Sequence, residues 1–454
     1  MFYRLIIRKH LFVPVLSAVH HIPGNHFSSI RYYYSPSRLL SSNTTKMASL
    51  NKEETARYSR QMLCPEIGKK GQLRLKSSSV LVVGAGGLGC PSSLYLTAAG
   101  IGRLGLIDSD VVDTSNLHRQ TLHSEATIGQ PKTDSAVDRL RQLNSNVEFE
   151  KHQVRLSAEN AMNIIKNYDI VIDGTDNPMA RYLLSDVCVL LKKPMVSGSA
   201  LQWEGQLTVY NYDEDTPCYR CLFPKPPAPG TVTNCADGGV IGVVPGIIGN
   251  IQALEAIKIA AGLKPSYAGT LLLFDGLTGQ FRKVELRKRK DDCVSCGNNP
   301  TITKELIDYD AFCGIKCDSA QQLKILEPEE RVTVEEYKQV LDSNEPHLLI
   351  DVRPQLQQDI VKLDNAISIP LGQIVKGDGI DKITTLIGEK LDQTSDVKKK
   401  IFFMCRRGNA SQKAVRELKN RLGTKIEDDN LEIKDVIGGI SKWGEKIDPE
   451  MPMY

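Results

Sequence analysis

A glycine-rich turn between an apolar strand and a helix constrains the fold of this chain more than any other feature. The apolar segment Ser79–Gly84 runs into Gly84-Ala-Gly-Gly-Leu-Gly89, and a helical pattern follows from Cys90 to Ala99. Glycines at this spacing let backbone N–H groups approach phosphate oxygens at the positive end of a helix. The pattern therefore predicts a nucleotide-binding turn and disfavours a glycine-rich turn that holds no ligand.

Apolar strands alternate with helices after this turn. Predicted strands at 103–108, 147–152 and 168–173 flank a predicted helix at 132–143. Continuous apolar strands that alternate with helices are typical of a parallel sheet covered on both faces. We therefore expect an α/β fold, with a doubly wound, Rossmann-like sheet in the first part of the chain.

The charge of the chain is unevenly distributed. The sequence has 57 Lys and Arg and 54 Asp and Glu, and six of the basic residues but no acidic residue lie in residues 1–46. The remaining 408 residues therefore have a formal net charge of −3, against +3 for the whole chain. The mildly acidic net charge of residues 47–454 argues against direct nucleic-acid binding. No apolar run approaches the ~20 residues of a membrane span, so we expect no membrane association.

The first 50 residues form a segment of their own. They are basic and rich in Ser, as mitochondrial transit peptides are, whereas Met47-Ala-Ser resembles an ordinary N-terminus. We interpret residues 1–50 as a basic, disordered leader and expect a cytosolic protein. A mitochondrial protein is the alternative if residues 1–46 act as a transit peptide.

A second α/β segment begins near residue 330. Its landmarks are apolar strands at 348–352 and 400–404 and a closing segment at 436–443. About 120 residues are enough for one small domain. We therefore predict a first domain at 51–297, a linker at 298–329 and a second domain at 330–454.

Charged side chains follow the predicted strands of the first domain. Asp108 ends a strand 24 residues after Gly84, where a carboxylate can accept hydrogen bonds from ribose hydroxyls. Arg119 and Lys132 supply cations that a triphosphate needs and a hydride-transfer site does not. Asp176 supplies a hard oxygen ligand suited to Mg²⁺. A plain surface charge is the alternative for each cation taken alone.

Four motifs of the first domain together resemble the ubiquitin-activating superfamily, most closely the bacterial molybdopterin-synthase and thiamine adenylyltransferases. They are Arg-Tyr-Ser-Arg-Gln at 57–61, the glycine-rich turn, Ser-Asn-Leu-His-Arg-Gln at 115–120 and Gly-Thr-Asp-Asn at 174–177. The resemblance implies ATP- and Mg²⁺-dependent adenylation of the C-terminal glycine of a small β-grasp protein. It also implies a homodimer, in which Arg60 reaches the phosphates of the neighbouring subunit. The ATP-binding residues that it implies are Gly87, Asp108, Ser115, Asn116, Leu117, His118, Arg119, Lys132, Asp176, Asn177 and Arg60.

Cysteines of the first domain fall into three classes, and the simplest is Cys64, Cys90 and Cys188, which lie on apolar segments and are expected to pack. Cys218-Tyr-Arg-Cys221 and Cys293-Val-Ser-Cys296 have the spacing of a closed, structural zinc site, and buried reduced cysteines or redox pairs are the alternative. Cys235 stands alone in a Gly-rich polar segment. Members of the superfamily that the chain resembles place a catalytic cysteine on such a segment, and a small buried residue is the alternative.

Cys405 ends a predicted strand and opens Cys405-Arg-Arg-Gly-Asn-Ala-Ser411, which leads into a helix at 412–422. Backbone N–H groups, the helix N-terminus and two arginines favour a thiolate there, so the loop can hold a persulfide or an oxyanion. Ser411 stands where a Cys-x5-Arg phosphatase has its arginine, which disfavours phosphoester chemistry. With Asp351-Val-Arg353 upstream and Gly438–Trp443 downstream, residues 330–454 resemble a rhodanese domain, which makes Cys405 the persulfide carrier.

An activating domain followed by a rhodanese domain resembles the eukaryotic family of molybdopterin-synthase adenylyltransferases and sulfurtransferases. This resemblance implies that a Cys405 persulfide attacks the acyl-adenylate and that Cys235 resolves the product, which leaves a C-terminal thiocarboxylate on the carrier. It implies as partners the ubiquitin-related modifier, the molybdopterin synthase small subunit and a cysteine desulfurase or other persulfide donor. It implies roles in tRNA wobble-uridine 2-thiolation and molybdenum cofactor biosynthesis. The alternatives are an activating enzyme for ubiquitin-like conjugation and a NAD-dependent oxidoreductase with a rhodanese tail.

Overall fold

The structure of the chain is a computed structural model, which describes residues 49–227, 238–303, 305–313, 323–391 and 398–453. Residues 1–48 of the predicted leader and two of the cysteines, Cys235 and Cys317, therefore lie outside the described residues. Within the described ranges the strands form two separate sheets.

The first sheet has eight strands in the order β3-β2-β1-β4-β5-β6-β7-β8. The first five strands are mutually parallel, and β6, β7 and β8 extend the sheet in antiparallel pairing. The doubly wound sheet is confirmed, whereas the antiparallel extension was not predicted. The strands are β1 Ser79–Val83, β2 Arg103–Ile107, β3 Glu148–His152, β4 Ile170–Asp173, β5 Met195–Leu201, β6 Glu204–Tyr210, β7 Thr270–Asp275 and β8 Gln280–Glu285.

Helices cover both faces of this sheet. One apolar cluster packs α4, α5 and α9 against one face, and a second packs α6, α7 and α10 against the other. Because the chain turns to opposite sides after β1 and β4, which are neighbours, a crevice opens at their carboxyl ends. The helices are α1 Lys52–Arg57, α2 Ser59–Met62, α3 Gly68–Ser77, α4 Gly89–Ala99, α5 Lys132–Leu143, α6 Ala161–Ile165, α7 Pro178–Leu190, α8 Tyr219–Leu222, α9 Val243–Ala261 and α10 Tyr309–Cys313.

Helix α9 is the one helix of the described residues that is long and apolar enough to cross a membrane by length and composition. It has 19 residues and a mean hydropathy of 1.3 in its most apolar window, half of which is buried. The expectation that no apolar run approaches this length was therefore wrong for Val243–Ala261, although Gln252, Glu255 and Lys258 lie within the helix. The helix packs against α4, β5 and β6, which accounts for its apolar surface.

Part of the segment predicted as a linker packs against the first domain. Helix α10 lies on α7, and Tyr309 and Cys313 are buried in the same cluster as Tyr182. Leu306 and Phe312 pack against this cluster as well. Residues 306–313 are therefore part of the first domain's packing and differ from the linker that weak periodicity suggested.

The second sheet has five parallel strands in the order β11-β10-β12-β13-β9. Its strands are β9 Arg331–Val332, β10 His347–Asp351, β11 Ala366–Ser368, β12 Lys399–Met404 and β13 Leu431–Val436. Apolar clusters lie on both faces, so the predicted rhodanese-like α/β architecture is confirmed. The helices around it are α11 Val334–Asp342, α12 Gln355–Ile360, α13 Leu371–Lys376, α14 Asp378–Leu391, α15 Ala410–Leu422, α16 Lys425–Asp428 and α17 Gly439–Lys446.

Candidate functional site

The glycine-rich turn follows β1 and leads into α4, as predicted. A Cβ atom at position 89 would lie 1.8 Å from the Gly84 carbonyl oxygen, so only glycine fits there. The amides of Gly86 and Gly87 donate to no acceptor within the described part of the chain. Two unpaired N–H groups before a helix N-terminus form a fitting cradle for phosphate oxygens.

Asp108 lies directly beside this turn. One of its carboxylate oxygens accepts a hydrogen bond from the Ala85 amide at 2.8 Å, and the other accepts one from the Asp110 amide at 2.8 Å. Burial raises the pKa of the Asp108 carboxyl, and the charge of Lys132 acts in the opposite direction. The carboxylate therefore fixes the turn against the end of β2, next to the position predicted for ribose.

Arg119 lies on the other side of the turn. Its Cγ atom is 3.4 Å from where a Gly87 Cβ would be. The guanidinium donates to Asn116 Oδ1 at 2.6 Å and to the Ser115 carbonyl at 3.1 Å, and it lies 2.8 Å from the exposed His118 ring. The predicted motif, Leu117 included, thus forms a short folded segment that holds Arg119 over the phosphate cradle.

Lys132 begins α5 and is 5% exposed. Its ammonium group lies 2.8 Å from an Asp110 carboxylate oxygen, and Asp110 is itself exposed. An exposed carboxylate can exchange this partner for solvent, which would free the ammonium for a phosphate. Arg60, on α2, is exposed.

The loop after β4 carries Asp176 and Asn177. A Cβ atom at Gly84 would lie 2.8 Å from the Gly174 carbonyl oxygen, so this loop touches the glycine-rich turn. Asp176 is exposed, whereas Asn177 caps α7 by accepting a hydrogen bond from the Ala180 amide at 2.9 Å. The structure thus gives Asn177 a capping role in addition to the predicted nucleotide contact.

Beneath this loop lies a buried polar network that sequence reasoning missed. Asp173 accepts hydrogen bonds from Ser197 Oγ and Thr175 Oγ1, both at 2.6 Å, and Arg181 Nε lies 3.3 Å from its carboxylate. These bonds occupy Asp173, so Asp176 is the carboxylate of this loop that remains open to a cation. The available sequence signal was an aspartate at the end of an apolar strand.

His123 was also missed. Its Nε2 atom lies 3.1 Å from the Ala85 carbonyl oxygen, and its Nδ1 atom lies 2.9 Å from Ser135 Oγ. Burial lowers the pKa of this imidazole. Asp108 therefore contacts the backbone N–H group of Ala85, and His123 contacts the C=O group of the same residue. No residue spacing in the sequence signals the His123 contact.

The four cysteines of the two Cys-x-x-Cys pairs converge. Their sulfur atoms lie within 4.8 Å of one another, with Sγ–Sγ distances of 3.8 Å for Cys218–Cys221, 3.6 Å for Cys218–Cys293 and 3.4 Å for Cys221–Cys296. Zinc binds thiolates at ~2.3 Å, which places the sulfurs of a regular tetrahedron about 3.8 Å apart. The donor set therefore fits a closed zinc site.

Buried charge supports the first cysteine pair. The Arg220 guanidinium donates twice to Asp186 through Nε, at 2.9 and 3.0 Å, and once through Nη2 at 2.9 Å. Tyr309 donates to the same carboxylate at 2.7 Å. This network joins the cysteine pair to α7 and α10.

In the second domain, Cys405 lies at the end of β12 and is 3% exposed. The Gly408 amide donates to its sulfur at 3.1 Å, and Ser411 Oγ lies 3.4 Å from the same atom. A Cβ atom at Gly439 would lie 2.0 Å from the Cys405 carbonyl oxygen, so the glycine pair that begins α17 packs directly on the loop. The loop wraps the sulfur and ends at α15, as predicted for a persulfide carrier.

Asp351 and Arg353 support this loop from the neighbouring strand. The Arg353 backbone amide and Nε each donate to Asp351 Oδ1 at 3.0 Å, and both side chains are about 1% exposed. The intervening Val352 amide donates to the Met404 carbonyl, one residue before Cys405. The pair therefore acts as a structural support.

Comparison with known proteins assigns the chain to a family. The ThiF family matches residues 58–295, and the rhodanese-like domain matches residues 333–446. The adenylyltransferase and sulfurtransferase MOCS3 of Mus musculus is 52% identical over 413 residues, which cover 90% of this chain and 89% of that protein. This chain belongs to the MOCS3 family. The Culex quinquefasciatus member is 52% identical over 410 residues, with 90% and 91% coverage.

Solved structures also resemble the chain. A crystal structure of E. coli MccB with MccA-N7isoASN has 23% sequence identity and a TM-score of 0.48, and the match covers 53% of this chain and 75% of that chain.

Membership of the MOCS3 family gives each domain its class of chemistry. The chain is an adenylyltransferase and sulfurtransferase, and its ThiF domain implies the use of ATP. The predicted family, fold and enzyme class are thereby confirmed, and the oxidoreductase alternative is set aside. The individual site residues stay predictions, supported by the positions described above.

Proposed function

We propose that this enzyme adenylates the C-terminal glycine of a ubiquitin-like sulfur carrier and then converts the activated carboxylate into a thiocarboxylate. The carriers we infer are the ubiquitin-related modifier and the small subunit of molybdopterin synthase. The observation that carries this proposal is the presence, on one chain, of an open phosphate cradle and an enclosed cysteine. The product would supply sulfur for tRNA wobble-uridine 2-thiolation and for molybdenum cofactor biosynthesis.

Adenylation needs charge neutralisation more than acid–base chemistry. The carrier's carboxylate attacks the α-phosphorus of ATP, so anions must come together while pyrophosphate leaves. The amides of Gly86 and Gly87, together with Arg119 and Lys132, would hold the phosphates, and Asp108 would hold the ribose. Asp176 would hold Mg²⁺, which supplies further positive charge to the phosphate oxygens.

The zinc site has a structural role in this proposal. Four thiolates complete a tetrahedron and leave no position for water or substrate. The two cysteine pairs are 75 residues apart in sequence, so the metal would join two distant segments of one domain.

Sulfur transfer requires Cys405 to carry a persulfide, which a cysteine desulfurase or another persulfide donor would supply. The terminal sulfur attacks the acyl-adenylate carbonyl, AMP leaves, and an acyl disulfide forms on Cys405. A Cys235 thiolate then attacks the Cys405 sulfur, which releases the thiocarboxylate and leaves a Cys235–Cys405 disulfide for an external thiol to reduce. Cys235 lies outside the described residues, so its role rests on the sequence alone.

Two further proposals concern assembly and location. Arg60 is exposed, which suits a residue that reaches the ATP site of a second subunit in a homodimer.

We infer a cytosolic enzyme, with a mitochondrial location as the alternative. Imaging of C-terminally tagged chains with and without residues 1–46 tests this: an unchanged cytosolic signal supports the inference, and mitochondrial signal lost on truncation contradicts it.

Carrier-dependent exchange of labelled pyrophosphate into ATP tests the adenylation step. We expect exchange with either carrier and none with a carrier that lacks its C-terminal glycine. Asp176→Asn should reduce exchange strongly, whereas Cys405→Ala should leave it intact because that thiol acts later. No exchange with either intact carrier would contradict the proposal.

A further inference from the structure

Four side chains form a hydrogen-bonded row that starts at the sulfur of Cys405. Ser411 Oγ lies 3.4 Å from Cys405 Sγ and donates to Asp435 Oδ2 at 3.1 Å. Arg331 donates to Asp435 through Nε at 2.7 Å and through Nη2 at 3.1 Å. Ser411 and Asp435 are fully buried. The four residues come from the loop after β12 and from α15, β13 and β9, so only the folded domain brings them together.

The single proton of the Ser411 hydroxyl has two possible acceptors. When Cys405 is a thiol, the Ser411 hydroxyl donates to Asp435, and the hydroxyl oxygen can accept a hydrogen bond from the Cys405 S–H group. When Cys405 is a thiolate, rotation about one bond lets the hydroxyl donate to the sulfur instead. Asp435 Oδ2 keeps its bond from Arg331 after this rotation, so no buried oxygen is left without a donor.

The charges around Cys405 show why a neutral hydroxyl is useful here. The Asp435 carboxylate alone would oppose a thiolate nearby, but its ion pair with Arg331 cancels most of that charge. Arg406 and Arg407 on the loop favour the anion, and Lys442 of α17 packs against Gly438 beside the loop. A hydroxyl adds a hydrogen bond without adding a cation that would attract phosphoesters.

We propose that Ser411 is a positioning residue for sulfur transfer, whose hydroxyl, oriented by the Asp435–Arg331 pair, stabilises the Cys405 thiolate. The Gly408 amide supplies the second hydrogen bond to the same sulfur. This inference rests on the proposed role of Cys405 as the sulfur carrier. It explains why a serine occupies the position at which a Cys-x5-Arg loop has its arginine.

The test is the pH dependence of alkylation at Cys405 in the full chain. Iodoacetamide labelling at a series of pH values, followed by peptide mass spectrometry, isolates this thiol from the other cysteines. Ser411→Ala should slow the alkylation of Cys405 at neutral pH about ten-fold, because the variant removes a hydrogen bond to the reacting thiolate. Ser411→Thr keeps the hydroxyl and should restore the wild-type profile.

Ser441→Ala is the matched control. This serine is on α17 beside the loop, and only its backbone amide bonds to the loop, at the Arg406 carbonyl. Its removal should leave the profile unchanged. Fluorescence of the buried Trp443 checks that each variant is folded.

An unchanged profile in Ser411→Ala would overturn the inference, and so would an equal shift in Ser441→Ala. Sulfur loading of the wild-type chain by a persulfide donor is measured in parallel. If Cys405 takes up no sulfur, the proposed function fails. If it does and the profile of Ser411→Ala is unchanged, only the role of Ser411 fails.

Discussion

The buried ion pair between Arg220 and Asp186, beside the four-cysteine cluster, allows a quantitative prediction of stability. Asp186 is fully buried and accepts hydrogen bonds from Arg220 and Tyr309. Asp186→Asn preserves the shape of the side chain but leaves the Arg220 cation buried without a counter-charge. Removal of one partner from a buried pair typically costs 3–5 kcal/mol, roughly a third of the stability of an ordinary domain.

A matched variant sets the scale. Asp215 pairs with Lys288 at 3.4 Å in the same domain, and both side chains are more than three-quarters exposed. An exposed pair is worth about 0–1 kcal/mol, so Asp215→Asn should be close to neutral. Both variants replace an aspartate by asparagine, but the replaced side chain is buried at position 186 and exposed at position 215.

Urea unfolding of the zinc-loaded chain measures both. Zinc release, followed with a colorimetric chelator, reports on the first domain, and Trp443 fluorescence in a Trp203→Phe background reports on the second. We expect Asp186→Asn to lower the midpoint of zinc release by about 1 M or more, because denaturant slopes are a few kcal/mol per molar. The Trp443 transition should not move. A midpoint equal to that of Asp215→Asn would refute the reasoning.

Three further predictions follow from single residues. Gly89→Ala should abolish ATP binding, measured by calorimetry, because the added Cβ atom would collide with the Gly84 carbonyl oxygen. Gly246→Ala is the control and should bind ATP normally, because a Cβ atom at position 246 would meet no other atom. Cys293→Ser should release zinc, measured by metal analysis, and an unchanged zinc content would contradict the site. Burial raises the pKa of the Glu54 carboxyl, but hydrogen bonds from Lys76 and the Asn51 amide outweigh it, so the net pKa is lowered. The ionised Glu54 carboxylate therefore stabilises the fold above its unfolded-state pKa, and this stabilisation is lost as the pH falls through the lower pKa of the folded state. Glu54→Gln should make the free energy of unfolding less dependent on pH in the acid range, measured by circular dichroism.

Local patterns in the sequence predicted much of the fold. The strands Ser79–Val83 and Ile170–Asp173 are continuous apolar runs, and both lie in the buried centre of the sheet. The close spacing within each cysteine pair predicted the four-cysteine cluster because each pair forms one local turn. The glycine-rich turn was recognisable because its glycines are required by backbone approach, which is a local property.

Contacts between distant segments could not be predicted in this way. β8 is exposed along its whole length and has no apolar run, so its pairing with β7 was not visible. The Ser411–Asp435 bond depends on the register of β13 beside β12, which no spacing encodes. Cys64 lies in an apolar stretch and was expected to pack, yet it is exposed, because that segment ends a short surface helix.

The most direct test of the proposed function is the mass of the carrier after reaction. The full chain is incubated with ATP, Mg²⁺, a persulfide donor and the ubiquitin-related modifier, and the carrier is then analysed by intact mass spectrometry. We predict that one oxygen is replaced by one sulfur at the C-terminus, that omission of ATP prevents the change, and that Cys405→Ala prevents it while pyrophosphate exchange continues. A carrier of unchanged mass in the complete reaction would contradict the proposal.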